Sequence, residues 1–388
     1  VAKVIFTMAH QKHSVVTKPV AGQFNRNELA ILGTPCGKIR NLANQLTDIL
    51  SRNYKVAYID ADHKAPQVEP DAALSHGACM ELTDRISYRS IHYQQQFNTF
   101  ENRMLFNSQD LVLVNGNHFI AHSQIIIIDP AKPLEKKLDK LTDVKLILLT
   151  ENVTEVPEFL KKHIPVIDTI PVLNVNDTPG IVEIITNYLI NRMPILHGLV
   201  LAGGKSERMQ ADKGSIAYHG RSQRLHVHQM LNAICQETFV SYASEHNIHQ
   251  EEQLPVITDS FTGLGPFGGI LSAFRSNPNV AWLTVACDLP YLSASTLNYL
   301  VQHRNPSKIA TAFMDADQRF PEPLVTIWEP RSYLVLLQFL SLGYSCPRKV
   351  LINADIALLQ APQVQEFINV NNPSEKEAVL QQLKEQGF

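Results

Sequence analysis

Lys205, Arg208 and Lys213 crowd around two adjacent glycines in the stretch Leu201-Ala-Gly-Gly-Lys-Ser-Glu-Arg-Met-Gln-Ala-Asp-Lys213. Gly203 and Gly204 let the backbone come close to a ligand without interference from Cβ. Free N–H groups in such a turn form an anion cradle, and the three cations reinforce it. The chemistry that suits this spacing is phosphate binding. An ordinary β-turn followed by a solvated basic helix is the other reading. A second chemical group lies in Val285-Ala-Cys-Asp-Leu-Pro290, where one carboxylate, Asp288, follows the apolar run 282–286. A lone aspartate binds Mg²⁺ well when triphosphate oxygens fill the other positions. Capping a helix after Pro290 would use the same side chain.

The glycine loop resembles the signature of nucleotidyltransferases that handle the molybdenum cofactor, L-A-G-G-x-S-x-R-M-G-x-D-K. Gln210 stands where that family has Gly, a change that removes no charged group. The resemblance continues to the end of the chain and so covers about half of it. It implies that Leu201, Ala202, Gly203, Gly204, Ser206 and Lys213 bind nucleotide. It also implies that Arg208 and Lys213 act with Asp288 in catalysis, and that Asp288 is the metal ligand. In Thr258-Asp-Ser-Phe-Thr-Gly-Leu-Gly-Pro-Phe-Gly-Gly-Ile270 the glycines permit a tight turn, with a helix starting near Gly269. There the resemblance implies nucleotide contacts from Asp259, Gly265 and Pro266. In Phe320-Pro-Glu-Pro-Leu324 two prolines fix a loop that can present Glu322. This segment is similar to one near the pterin side in the family. Phe367-Ile-Asn-Val-Asn-Asn-Pro373 matches F-x-N-x-N-T-P, with Asn372 in place of Thr. Asn369 and Asn371 can both donate and accept, which suits pterin or phosphate, and a simple turn before proline is the alternative. Cys346-Pro-Arg-Lys349 is similar to a segment near the acceptor substrate. Arg348 and Lys349 are candidate phosphate partners there, or parts of a solvated basic turn.

The implied reaction joins GMP from GTP to the terminal phosphate of molybdopterin, with Mg²⁺ as cofactor and pyrophosphate leaving. A phosphate monoester is already a nucleophile near neutral pH, so alignment and charge neutralisation carry the catalysis. Guanylyl enzymes of the family resemble L-A-G-G and cytidylyl relatives L-A-A-G, so Gly203-Gly204 favours GTP. That difference is about one methyl, worth only ~1–3 kcal/mol. A cytidylyl or sugar-phosphate nucleotidyltransferase is one alternative. A non-catalytic scaffold, delivering the cofactor to apo-molybdoenzymes or working with other cofactor-synthesis proteins, is another.

These groups need elements to position them. Apolar runs alternate with helical spacing throughout, which predicts an α/β fold with mostly parallel sheets. Strands are expected at 29–32, 56–59, 111–114, 125–128, 146–149, 195–201 and 282–286, and helices at 39–50 and 180–190. Asn191-Arg-Met-Pro194 reads as a linker, dividing the chain into residues 1–193 and 194–388. The second part is expected to be a Rossmann-like nucleotidyltransferase domain and the first a P-loop-like α/β domain. In the first, Leu29-Ala-Ile-Leu-Gly-Thr-Pro-Cys-Gly-Lys-Ile39 sits where a P-loop would. Only three residues separate Gly33 from Gly37, and Ile39 replaces the Ser or Thr that would meet Mg²⁺. With 56–64 and 110–118, this region resembles the small GTP-binding adaptor of molybdenum cofactor biosynthesis. Asn115 stands where the adaptor family has Glu, and with the altered loop this makes reduced or absent GTP hydrolysis the expectation. The alternative is a divergent nucleotide site that still works, with Lys38 and the helix N-terminus near Ile39 binding an anion. His10 and His13, with Lys12 between them and His63 elsewhere, have metal-like spacing only if helical, and a solvated or packed role is the expectation.

The 388 residues favour two domains. Hydrophobic content of 45% and charged content of 18% suit a globular protein. A net charge of -3 gives no sign of a nucleic-acid surface. No apolar run approaches a membrane span, and the first residues lack a signal-peptide core. Five scattered cysteines without a C-x-x-C pair point to a reducing, cytoplasmic setting and away from zinc or a disulfide framework.

Overall fold

The computed structural model describes residues 26–61, 72–94, 104–202, 212–244, 253–370 and 372–385. Two compact units divide the chain. Among the described residues, 72–94 and 104–105 belong to the smaller unit, and 26–61 with all from 106 onward belong to the larger. His10, Lys12, His13 and His63, and the loop residues Gly203, Gly204, Lys205, Ser206, Arg208 and Gln210, lie outside the described residues. So does Asn371.

The larger unit opens with β1 (Asn27–Leu32), α1 (Cys36–Leu50) and β2 (Val56–Ile59). The smaller unit holds the antiparallel hairpin β3 (Met80–Asp84) and β4 (Arg89–Tyr93). The larger unit resumes with β5 (Leu111–Asn115), β6 (Ser123–Ile128), β7 (Asp143–Leu149), α2 (Glu158–His163), β8 (Val172–Asn174) and α3 (Thr178–Asn191). Strands β5 and β6 are nearly unbroken apolar runs because neighbours and helices cover both faces of a parallel sheet. The strand order is β2-β5-β1-β6-β7-β8, and every pairing is parallel. Helix α1 presents Ile39, Leu42, Ala43, Leu46 and Leu50 to the core, the spacing of one helical face. Pro35 fixes the entry to this helix, so it starts three residues before the 39–50 expectation.

A second sheet follows. It contains β9 (Leu196–Leu201), β10 (Thr238–Tyr242), β11 (Val256–Thr258), β12 (Ala281–Ala286), β13 (Ala310–Met314), β14 (Pro321–Trp328) and β15 (Ala357–Leu359). Its order is β11-β10-β9-β12-β14-β13-β15. Strands β9 to β12 run parallel, and β14 runs antiparallel to both neighbours. The packing helices are α4 (Gln223–Asn232), α5 (Pro266–Ser276), α6 (Ala294–Gln302), α7 (Ser332–Ser341), α8 (Pro347–Asn353) and α9 (Pro373–Glu385). Trp282, Trp328, Phe267 and Phe274 fill one face. Leucines and valines of β9, β12 and α6 fill the other. No described helix is long and apolar enough to cross a membrane.

Two local expectations are corrected. Phe320–Leu324 is not a loop, because Pro321 opens β14 and Glu322, Pro323 and Leu324 continue it. Proline is tolerated there because the pairing of β12 with β14 begins only at Val325, so no ladder bond to that neighbour is lost. The helix after the glycine turn starts at Pro266, not near Gly269. Proline at the first helical position loses a hydrogen bond that no helix makes, so it starts the helix earlier than glycine spacing suggests.

Candidate active site

Parallel strands β9, β10, β11 and β12 all end on one edge of the second sheet, where α/β folds place ligands. The N-terminal end of antiparallel β14 reaches the same edge. Ala202, Asp259, Asp288 and Glu322 therefore emerge along a single rim.

Asp288 lies just past β12, and its side chain is only 19% exposed. Its Oδ2 faces the Lys213 ammonium at 3.4 Å. Its Oδ1 is buried and has no hydrogen-bond partner among the described residues. A buried, unsatisfied carboxylate oxygen is costly in an apolar setting, and a cation is the group that would satisfy it. The arrangement fits a Mg²⁺ ion. Among the described residues no group of three or more His, Cys, Asp or Glu side chains is gathered to hold a metal. Such an ion would therefore complete its shell with substrate oxygens and water. The carbonyl of Asp288 accepts from Val370 N at 3.0 Å, which ties the C-terminal asparagine segment to the aspartate.

Lys213 begins a short 3₁₀ turn, Lys213–Ser215, fixed by its neighbour Asp212. The Asp212 carboxylate accepts from Gly214 N at 3.0 Å, Ser215 Oγ at 2.7 Å and Arg224 Nη1 at 2.9 Å. Burial alone would raise its pKa, but these donors and the Arg224 charge hold it below the ordinary carboxylate value. The Arg224 side chain, on α4, is 2% exposed and lies over the Tyr242 ring. Nothing in the spacing of Arg224 reveals this role, because its partner is 12 residues away and no chain periodicity links them.

Asp259 follows β11 and accepts from Ser241 Oγ at 3.0 Å. Burial raises its pKa, with the Ser241 bond working against the rise. Gly265 has φ +57, a left-handed value that favours glycine, and Pro266 starts α5 directly after it. Gly269 lets α5 approach β10, since a Cβ there would sit 2.6 Å from Ser241 Oγ. Ser241 is a second residue that sequence reading missed. Its only signal is a polar side chain within a buried strand.

Glu322 is 5% exposed. Burial raises its pKa, Leu324 N and Arg348 oppose this, and the charges of Asp288 and Asp315 add to it. Glu322 thus shares the electrostatic field of Asp288. Arg348 spans Glu322 at 3.5 Å and Asp315 at 3.9 Å, so its charge is already engaged by two carboxylates. Lys349 places its ammonium over the Tyr344 ring at 5.2 Å. Asn369 is exposed beside Val370, and Asn372 caps α9 by accepting from Glu375 N at 2.9 Å. The structure thus brings Lys213, Asp288, Glu322 and Arg348 into one neighbourhood, with Asp259 farther along the rim beyond β10.

Residues 198–361 match the MobA-like NTP transferase domain family. The Synechocystis "Molybdenum cofactor biosynthesis bifunctional protein" is 35% identical over 181 residues, 46% of this chain and 52% of that protein. The chain thus spans about half the length of that relative. A Carboxydothermus hydrogenoformans "Probable molybdenum cofactor guanylyltransferase" is 30% identical over 47% of this chain and 93% of its own length. The Archaeoglobus fulgidus "Molybdopterin-guanine dinucleotide biosynthesis protein A" structure covers 49% of this chain at 16% identity and a TM-score of 0.43. On the near full-length match to the second of these relatives, the chain belongs to the molybdenum cofactor guanylyltransferase family.

Proposed function

We propose that this chain transfers GMP from GTP to the terminal phosphate of molybdopterin, giving molybdopterin guanine dinucleotide and pyrophosphate. The observation that carries this reading is the Asp288 carboxylate, with one oxygen on Lys213 and the other buried and unsatisfied. Asp288 would hold Mg²⁺ through that oxygen. Bound there, the ion would neutralise charge on the phosphates. Lys213 supplies a second, fixed positive charge, and Asp212 with Arg224 keeps its turn in place. Ser241 holds the Asp259 carboxylate, and the Gly265 turn gives the nucleotide a close backbone surface. Glu322 would receive N–H groups of the pterin, with Arg348 setting its orientation. The acceptor phosphate needs no strong base, so these residues act by alignment and charge.

Residues 1–193 are read as an adaptor-like half with reduced or absent GTP hydrolysis. Two observations support this. Ile39 is fully buried in the core, and Lys38 Nζ pairs with Asp129 at 2.9 Å. Apo-molybdoenzymes or other cofactor-synthesis proteins are its proposed partners. The reading of the first half is tested by Mg²⁺-dependent orthophosphate release from GTP, which is expected to be low. The transferase reading is tested by pyrophosphate release from the full chain with Mg²⁺, molybdenum-bearing molybdopterin, and GTP or CTP. The expected result is release with GTP and little with CTP. Preference for CTP would correct the base, and release with neither would overturn the transferase reading.

A further inference from the structure

Cys36 is the first residue of the 15-residue helix α1, at the carboxyl edge of the first sheet. Its Sγ lies 3.2 Å from His118 Nε2, on the segment after β5. The Asn117 amide nitrogen approaches the same sulfur at 3.5 Å. This amide is fixed in orientation. Lys137 Nζ can only donate, and it donates to Asn117 Oδ1 at 2.5 Å. The amide nitrogen is therefore turned toward Cys36 and the Thr34 carbonyl, which it reaches at 2.9 Å. Behind it, Asn117 N donates to Asn115 Oδ1 at 3.1 Å, and Asn115 donates to Asp60 at 2.6 Å.

A donor locked onto a sulfur stabilises a thiolate more than a thiol, and so does the N-terminal end of a helix. Burial pushes the Cys36 thiol up, yet the Asn117 and Asn115 amides and the Lys132 charge outweigh it and leave it below the ordinary value. Among the described residues, the charged and titratable groups facing it are Tyr58 and Asp60 at β2, His118 after β5, and Lys132 and Lys137 after β6. The sulfur is half-buried, and the adjoining Gly37 is exposed with open space around it, so a small molecule can reach the site. A nucleophile with an imidazole in hydrogen-bond reach is the pattern of an activated thiol.

We propose that Cys36 and His118 form a thiol-exchange site that accepts a low-molecular-weight anionic disulfide. The Cys36 sulfur forms an S–S bond to one sulfur of the disulfide. The reagent's own S–S bond breaks, its electron pair leaves with the second sulfur, and that thiolate takes the proton held by His118. The disulfide is the oxidant, so no further reagent is required. Lys132, Lys137 and the helix N-terminus favour a negatively charged partner.

The test uses the full chain at pH 6.5 with oxidised glutathione, anionic, or cystamine, cationic, and peptide mapping by mass spectrometry. Exposed Cys79 and Cys346 are internal references. The expected result is a mixed disulfide at Cys36 formed about tenfold faster than at either reference, and faster with glutathione disulfide than with cystamine. His118→Gln is expected to bring the Cys36 rate to the reference level and move its pH profile upward. Asn117→Ala is expected to move the profile in the same direction, and it serves if the histidine variant does not fold. A Cys36 rate no higher than the references, or one unchanged in both variants, would overturn the site. Faster reaction with cystamine would overturn the anionic assignment.

Discussion

Two ion pairs of different kinds share the site. Lys213 and Asp288 face each other across 3.4 Å with partial exposure, a geometry that a substrate or cation can enter. Arg224 and Asp212 are closer, at 2.9 Å, and the arginine is almost fully buried. The second pair is the scaffold of the first. Replacing Arg224 with Lys keeps the charge but loses the planar fork that spans Asp212 and Ser215. We expect Arg224→Lys to lose roughly 1.5–3 kcal/mol of stability by denaturant titration. Displacement of Lys213 should also lower kcat, by up to ~100-fold. Unchanged kcat in a destabilised variant would show that the Asp212 turn does not position Lys213. The side chains with chemical potential were legible from the sequence because charged residues beside glycines and a strand-end carboxylate advertise themselves. Their supports were not. Arg224, Ser241 and Asp315 act across the fold, and no spacing along the chain encodes such pairings.

Strand positions were the most legible elements. The 56–59 strand matches its expectation, and those at 29–32, 111–114, 125–128, 146–149, 195–201 and 282–286 differ only at their ends. Buried parallel strands are written as short apolar runs, which is why they read easily. At 320–324 the two prolines spell a loop in the sequence, and only the later start of the β12 pairing lets the segment be a strand. Helix α5 illustrates a constraint visible only in three dimensions. Gly269 faces Ser241 Oγ across a gap with no room for a methyl. Gly269→Ala should therefore cost about 1–3 kcal/mol from overpacking, measured by denaturant titration. It should also weaken GTP binding, because Ser241 is pushed from Asp259. Adding Ser241→Ala removes the obstructing oxygen, so the double variant should recover stability but not nucleotide affinity. Equal losses in the single and double variants would contradict this packing account.

The larger unit carries both sheets, and a polar network, buried at Arg331 and Asp110, joins them. Arg331 Nη2 meets Asp110 Oδ1 at 2.6 Å, and Nη1 meets the Ser108 carbonyl at 2.8 Å. Lys55 Nζ reaches Asp355 at 2.6 Å and the Ser307 carbonyl at 2.9 Å. The Arg331 side chain is 1% exposed, so Asp110→Ala would leave a buried, uncompensated cation. The expected loss is roughly 3–5 kcal/mol in chemical denaturation, and a loss below 1 kcal/mol would refute the role of the pair. None of this network was legible in the sequence, since Asp110 and Arg331 are 221 residues apart. The division at residue 193 came from a linker composition and a new glycine motif, signals that say nothing about what crosses between the parts. The chemistry proposed at the second sheet rests on one carboxylate, Asp288. The most direct measurement is Mg²⁺-dependent pyrophosphate release from GTP and molybdopterin by the full chain and by its Asp288→Asn variant, with circular dichroism of both. The account predicts an unchanged spectrum and a loss of turnover of at least ~100-fold, the scale of a removed charge-stabilising group. A folded variant with wild-type turnover at saturating Mg²⁺ would contradict it.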